Sequence, residues 1–340
     1  MNKLTWRKYY PFLSIGLSLL ISLLLLEVVL RILNLGYDDA GFQYSSEVHH
    51  EHKKDFTFVI DNPAVEEGNG LNIRYDQHGF IPSGKEIRDN DTIILFCGDS
   101  YTEALQVPAE KNFVSIIQSK LPNKKVANAG VGSYSPLLMR LDYQRKKKQF
   151  HIEKVIIQLY ANDVAEDSLF AGKLVSNGGQ YTFEENELAR LEWYRKSYAV
   201  RYLRKTYIRF HFAYFADHSA FIMDKNYAEH QKSLLETLTE EIMLDWLKEL
   251  ASDGVEVFVM TIPSRSIHLN HLEGESLMYQ SSEELMSRVP NANWIPLKPL
   301  FDEHAVKEDF LFFDNDIHLN EKGHQAVASM VLNAIALEKE

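Results

Sequence analysis

The sequence predicts an α/β fold, a parallel sheet with helices on both faces, preceded by one long apolar helix. Three observations carry this. After residue 90, short apolar runs rich in β-branched residues alternate with amphipathic stretches, the order expected of a parallel sheet whose crossovers are helices. Several of those runs stop abruptly on polar clusters, and sheets of this kind gather function at the carboxyl ends of their strands. Ahead of them, Tyr9 to Leu26 form 18 residues without a charge, "YYPFLSIGLSLLISLLLL".

That first stretch matches the length of about 20 apolar residues that a bilayer span requires, and Val28 to Leu30 extend it past Glu27. Lys3, Arg7 and Lys8 precede it, whereas Arg31 alone follows before Asp38 and Asp39. The positive-inside rule therefore places the N-terminus in the cytoplasm and the bulk of the chain outside. Trp6, Tyr9 and Tyr10 suit the inner interface. Glu27 and Arg31, four residues apart, are expected to pair on one helix face. A cleaved signal peptide is the competing reading, but its apolar core usually runs about 7–15 residues, and no small-x-small site follows here. The expected organisation is a stub and single-pass anchor over 1–35, a juxtamembrane lead-in over 36–90 that packs on the domain, and a main domain over 91–340.

Within that domain, Thr92 to Cys97 reads as a strand and Lys111 to Leu121 as a helix. Val126 lies in a second strand that ends at "NAGVGSYSP", and a helix from about Leu137 to Phe150 carries "RKKKQ", read as a solvated face. Glu153 to Tyr160 is the third strand. An insertion of about 165–253 follows, far longer than a usual crossover. Its amphipathic end sets Leu234, Leu235, Leu238, Ile242, Trp246, Leu247 and Leu250 on one helix face, with Gly254 as the cap. "VEVFVMTIP" and "NWIPL" supply the fourth and fifth strands, and the last helix starts at Asn320, a good N-cap residue, and runs to Leu337.

The chain of 340 residues carries a net charge of −12, which excludes a general nucleic-acid binder, because phosphate neutralisation needs a Lys/Arg surplus. The single cysteine, Cys97, excludes an intramolecular disulfide framework and a cysteine-based zinc site, and it reads as a buried thiol. "HHEH", His49 to His52, has no further acids or cysteines at ligand spacing and reads as a solvated linker. No metal and no cofactor is expected. In the insertion, Arg190, Arg195, Lys196, Arg201, Arg204, Lys205 and Arg209 stand against Glu192 alone, interleaved with aromatics. This local reversal of charge fits a helical cap, a membrane-surface face, or a groove for an anionic or sugar substrate at the active-site mouth.

The polar clusters are Gly98-Asp99-Ser100, then Asn128 to Ser135, then Asn162-Asp163, and finally Asp314, Asp316 and His318 before the last helix. Serine, histidine and aspartate are the parts of a nucleophile–base–orienter relay. An asparagine amide and backbone N–H groups supply donors for a tetrahedral oxyanion. Gly98 is expected to let the strand turn sharply, with Asp99 bracing the turn.

On these four blocks, "GDSYTEA", "NAGVGSYSP", "YANDVAED" and "DNDIHLNEKGH", the sequence resembles the GDSL/SGNH hydrolase superfamily over about Asp91 to Leu337. "NIRYDQHGF" resembles a lead-in found before the nucleophile block in membrane-anchored relatives. The resemblance implies a flavodoxin-like three-layer α/β/α sandwich, with Ser100 as nucleophile and His318 as base. It implies an oxyanion hole of the Ser100 N–H, a second-block N–H at Gly132 or Ser133, and the Asn162 side chain. Two positions depart from the pattern. Ser133 stands where the family's glycine usually sits, next to Gly132, and Asn315 stands three before the histidine, the usual place of the acid. Asp316 takes the acid role by a variant spacing known in envelope polysaccharide-modifying members, with Asp314 as runner-up. The absence of Gly-x-Ser-x-Gly argues against an ordinary α/β-hydrolase.

The function implied is an extracytoplasmic, membrane-anchored serine esterase or O-acyltransferase passing through an acyl–serine intermediate. Its expected substrate is an acyl, often acetyl, ester of envelope carbohydrate or glycolipid. The alternative is a catalytically inactive binding or assembly protein that keeps the fold, which the Ser133 and Asn315 departures favour and the retained Ser100, Asn162 and His318 oppose.

Overall fold

The computed structural model describes residues 9–33, 35, 41–60, 71–177, 180–184, 197–215, 238–263, 277–289, 292–306, 310–314 and 316–336. Leu234, Leu235, Arg190, Glu192, Arg195, Lys196 and Asn315 lie outside them, as do Lys3, Trp6, Arg7 and Lys8. In chain order the elements are α1 (Tyr10–Ile32), β1 (Phe42–Ser45), β2 (His49–His52), β3 (Phe56–Ile60), β4 (Leu71–Tyr75) and β5 (Thr92–Gly98). Then come α2 (Ser100–Glu103), α3 (Phe113–Lys120), β6 (Val126–Gly130), α4 (Pro136–Lys146), β7 (His151–Leu159) and α5 (Asp163–Ala171). The hairpin β8 (Leu174–Asn177) and β9 (Gln180–Phe183) precedes α6 (Tyr198–Phe215), α7 (Glu240–Ser252) and β10 (Glu256–Thr261). The chain closes with α8 (Leu277–Ser287), β11 (Ala292–Ile295), α9 (Lys298–Val306) and α10 (Glu321–Ala336).

Two compact units result, one of Met1–Ala40 with Glu187–Ala216, the other of Gly41–Asn186 with Asp217–Glu340. The larger is built on a five-stranded sheet in the order β11-β10-β7-β5-β6, and all four pairings are parallel. From the other edge this is the doubly wound order 2-1-3-4-5, whose direction reverses beside β5. The strands are buried on both faces, so they read as near-continuous apolar runs rather than as alternation. Trp246, Leu250, Leu138 and Tyr143 cover one face, and Phe113, Ile117, Val327 and Val331 cover the other. Cys97 is buried in the first of these layers.

The helices start and stop as the sequence indicates. Asn320 Oδ1 accepts the Gly323 N–H at 3.0 Å at the head of α10, and Asn112 does the same for Ser115 at 2.8 Å before α3. Ile242, Trp246, Leu247 and Leu250 form the buried face of α7, and Gly254 follows it with φ of 71°, as a left-handed residue after a helix requires.

Two readings of charge fail. "RKKKQ" is not a solvated face throughout: Lys146 is buried, its ammonium donating to the His78 carbonyl at 2.7 Å and lying 4.3 Å from the Phe80 ring centroid. Arg145 holds Asp142 at 2.7 Å and Glu51 at 2.8 Å. "HHEH" is not a linker either. It forms β2, paired antiparallel with β1, with His49, His50 and His52 all buried. In both cases part of what covers these side chains comes from segments far away in sequence, His78 and Phe80 over Lys146 and Gly132 and Glu103 against His50 and His52, which local charge patterning does not register.

In the smaller unit, α1 presents apolar side chains almost throughout, with Leu13 56% and Leu24 58% exposed, and its most apolar window has a mean hydropathy of 2.5. Glu27 and Arg31 pair as expected, Nε to Oε1 at 2.8 Å. The same Glu27 carboxylate accepts the Ser197 hydroxyl at 2.9 Å and the backbone N–H groups of Tyr198 at 3.0 Å and Ala199 at 2.9 Å. It thus satisfies orphan donors at the start of α6.

Gly98 and Gly130 pair at the ends of β5 and β6, and neither has positive φ. Their role is close approach, not a sharp turn. A Cβ on Gly98 would sit 2.5 Å from Gln158 Oε1 and 2.8 Å from Thr102 Cβ, and one on Gly130 would sit 2.6 Å from the Thr102 carbonyl carbon. Gly130→Ala is therefore expected to destabilise the protein by about 1–3 kcal/mol, the usual range for overpacking. Gly172→Ala, at φ of −66° with only ordinary contacts, is expected to be neutral or slightly stabilising. Urea unfolding followed by tryptophan fluorescence checks both.

Candidate active site

Ser100 follows directly on β5, at the reversal point of the sheet, and opens the one-turn helix α2. Asp99 caps this turn, its Oδ1 accepting the Tyr101 N–H at 2.9 Å. Gln158, from the neighbouring strand β7, holds the turn from beneath: its Oε1 accepts the Thr102 hydroxyl at 2.8 Å and the Asp99 N–H at 3.3 Å. On the β6 side, Asn128 Nδ2 donates to the Thr102 carbonyl at 2.8 Å while its Oδ1 accepts the Gly130 N–H at 3.0 Å. Both neighbours of β5 thus fix the backbone that carries the serine.

His318 Nε2 lies 2.8 Å from Ser100 Oγ, although the two are 218 residues apart. Its Nδ1 meets Asp316 Oδ1, which also accepts the His318 backbone N–H at 2.9 Å. A carboxylate only accepts, so Nδ1 carries its proton and Nε2 presents a lone pair to the serine hydroxyl. Tyr101 steadies the histidine loop, donating its hydroxyl to the Ile317 carbonyl at 2.8 Å with its ring centroid 5.0 Å from that of His318. Asp314 is exposed, whereas Asp316 is half-buried and engaged with the imidazole.

The remaining candidates come from the loops beside the serine. The second block leaves β6 with the Val131 N–H on the Gly98 carbonyl at 3.1 Å. Ser133 then takes the left-handed conformation, φ 63°, which glycine adopts at no steric cost. Among the described residues, no acceptor faces the backbone N–H of Ser100, Gly132 or Ser133. Asn162 heads α5 without capping it, and its Oδ1 is buried without a partner among the described residues. The polar side chains of Ser133 and Asn162 act on the Glu166 carboxyl, one turn into α5, and temper the rise in its pKa.

Glu166, half-buried, stands with the buried acids Asp99, Asp163 and Asp167, a group that the sequence did not single out. Burial pushes its carboxyl up to about 7, reinforced by the charge of Asp99. Burial also raises Asp99 to about 6, against the pull of the Tyr101 N–H and the nearby His318, and raises Asp167 to about 6. Asp163 is raised strongly by burial and by Asp99. Clusters of acids perturbed in this way are characteristic of functional sites. Apart from the repeated acids of "NDVAED", nothing in the sequence points to them. Among the described residues no cluster of ligating side chains suits a metal ion.

A carboxyl whose folded pKa is raised stabilises the fold while protonated and loses that contribution as pH rises through the folded value. For Glu166 the contribution is complete below about 4.5 and lost through about 7. Glu166→Gln is therefore expected to raise stability over the wild type at pH 8, with the gain disappearing at pH 5. Thermal unfolding at the two pH values checks this.

No protein-family model matches the chain, and no curated protein matches it. Among solved structures it is similar to a member of the lipolytic G-D-S-L protein family from Veillonella parvula, at 16% identity over 71% of this chain and 97% of that one, TM-score 0.42. It is also similar to an acetyl xylan esterase, at 16% identity over 71% and 98% of the two chains, TM-score 0.44. A catalytic mutant of an acetylxylan esterase from Geobacillus stearothermophilus matches at 14% identity over 74% and 97%, TM-score 0.43.

Proposed function

We propose that this protein is a serine esterase or O-acyltransferase of GDSL/SGNH type, anchored in a membrane with its catalytic domain on the extracytoplasmic side. The observation that carries the reading is the Ser100–His318–Asp316 relay, with the 2.8 Å contact between Oγ and Nε2 and the other ring nitrogen held by a carboxylate.

In this reading Ser100 Oγ attacks the carbonyl carbon of an ester as its proton passes to His318 Nε2. Asp316 keeps the ring in the correct tautomer and favours the imidazolium that forms. The N–H groups of Ser100 and of the second block, with the Asn162 amide, receive the oxyanion. Collapse of the tetrahedral intermediate breaks the ester C–O bond. The departing alcohol takes the proton from His318, leaving acyl–Ser100. Water or a carbohydrate hydroxyl then attacks the acyl group by the same steps in reverse, giving hydrolysis or transfer. An acyl, often acetyl, ester of envelope carbohydrate or glycolipid is the substrate class that the resemblance and the anchor together favour.

The anchor rests on α1 and the charge asymmetry around it. The cap that Glu27 forms on α6 supports it further, because it fastens an amphipathic helix to the outer end of the span. Val200, Leu203, Tyr207 and Phe210 recur at helical spacing on α6, with Leu203 62% and Phe210 54% exposed, while Arg201 and Arg204 lie off that stripe. Such a helix suits the headgroup region of a bilayer.

Purified protein in detergent is expected to hydrolyse p-nitrophenyl acetate and to react with a fluorophosphonate at Ser100. Ser100→Ala should abolish both activities. Asp316→Asn should lower turnover on the order of 10⁴-fold, as loss of the orienting acid does in such relays, while Asp314→Asn leaves it within about twofold. Turnover that survives Ser100→Ala would contradict the mechanism, and a folded wild type with neither turnover nor adduct would favour the non-catalytic reading.

A further inference from the structure

The buried histidines of β2 face the loop that would build the oxyanion hole. His50 Nε2 lies 2.8 Å from the Gly132 carbonyl oxygen, and its Nδ1 lies 3.0 Å from Nδ1 of His49. His49 Nε2 in turn lies 3.5 Å from Lys173 Nζ. The contact is braced in the other direction too, because the Tyr134 hydroxyl donates to the His50 carbonyl at 2.7 Å. The His50 ring packs edge-on against Phe42 at 5.7 Å and Tyr134 at 5.1 Å between centroids.

These partners fix every proton in the chain. A carbonyl oxygen only accepts, so His50 Nε2 carries a hydrogen and donates it to Gly132. In the neutral ring Nδ1 is then an acceptor, which requires His49 Nδ1 to donate. That leaves His49 Nε2 as an acceptor facing the Lys173 ammonium, a pure donor. The order Lys173 to His49 to His50 to Gly132 is consistent with both rings neutral. Burial favours that state: it lowers His49 to about 4, with help from His50 and Lys173, and it lowers His50 as well.

A trans peptide holds its C=O and N–H antiparallel in one plane, and the chain contains no cis peptide among the described residues. Fixing the Gly132 oxygen therefore fixes the direction of the Ser133 N–H. Accepting a hydrogen bond at the oxygen also strengthens the amide as a donor at the nitrogen. Ser133 sits at positive φ, a conformation costly for a residue with a Cβ, and the His50 contact on the Gly132 carbonyl holds the peptide that leads into it. Glu103 supplies a second wall: a Cβ on Gly132 would lie 2.9 Å from its Oε2.

We infer that His50 is a positioning residue of the oxyanion hole: its Nε2–H aims and polarises the Gly132–Ser133 amide, and His49 with Lys173 fixes its tautomer. The inference rests on the esterase reading above. The oxyanion accepts the Ser133 N–H on the face of the peptide opposite to His50, so His50 acts without touching substrate.

The test compares wild type, His50→Leu, His50→Gln and His49→Leu in detergent. Four readouts are taken: kcat and KM on p-nitrophenyl acetate, affinity for a trifluoromethyl ketone that mimics the tetrahedral state, thermal unfolding, and the ³¹P resonance of the phosphonylated Ser100 adduct. His50→Leu is expected to lower kcat roughly 10- to 100-fold, less than the ~10²–10³ of deleting an oxyanion donor outright, with KM little changed. Ketone affinity should fall in parallel, and the adduct resonance should shift. Gln places an amide donor near the same point, so His50→Gln should recover most of kcat. His49→Leu, which leaves the tautomer of His50 unset, should fall between. A kcat within twofold of wild type in folded His50→Leu, or equal losses in His50→Leu and His50→Gln, would overturn the inference while leaving the esterase reading intact. Wild-type protein that forms no adduct at Ser100 would overturn both.

Discussion

The site depends on a backbone contact that only hydrogen-sized side chains permit. Gly98 and Gly130 end adjacent parallel strands, and the turn that carries Ser100 lies directly on them, with Thr102 and Gln158 filling the space a Cβ would need. Because the turn is held by backbone-to-backbone approach and by Gln158 and Asn128 from its two flanking strands, the serine is fixed relative to the sheet. A relay to a histidine 218 residues away is useful only under that condition, since catalytic alignment tolerates errors well under 1 Å.

The same turn connects Ser100 to the front of the domain. Glu103, three residues after Ser100, accepts hydrogen bonds from His52 Nε2 at 2.9 Å and from the Tyr75 hydroxyl at 3.0 Å. His52 Nδ1 lies 2.8 Å from the Gly79 carbonyl oxygen, so both ring nitrogens are engaged by oxygen atoms of the fold. The two side chains are 1% and 3% exposed, and the His52 ring stacks on Tyr75 at 3.8 Å. A buried hydrogen-bonded pair of this kind is costly to break, because removing one partner leaves the other unsatisfied, at about 1–3 kcal/mol. It therefore commits β2 and β4 to one position against α2, and with them His50 against Gly132.

Much of this was legible in the sequence, for identifiable reasons. Strands buried on both faces announce themselves as apolar runs, and their polar ends mark the loops where chemistry collects; Ser100, Asn162 and His318 were found that way. Asp316 was harder, because spacing alone did not separate it from Asp314. What separates them is that two residues of spacing let one carboxylate oxygen meet both the backbone N–H and the Nδ1 of His318. The roles of His50, His52, Lys146 and Glu166 were not legible. Each is a polar residue whose meaning lies in surroundings brought up by the fold: Gly132 for His50, Glu103 for His52, the His78 carbonyl for Lys146, and burial beside Asp99 for Glu166. Charge runs and histidine clusters look solvated until the segment that covers them is known.

The central claim is that Ser100 becomes covalently acylated. Rapid quenching of the protein with an acetyl ester, followed by peptide mass spectrometry, tests it most directly. The account predicts an acetyl group on the peptide containing Ser100, formed before the second product is released and absent from His318→Ala. Turnover with no acetylated peptide, or an acetyl group on any other residue in its place, would contradict it.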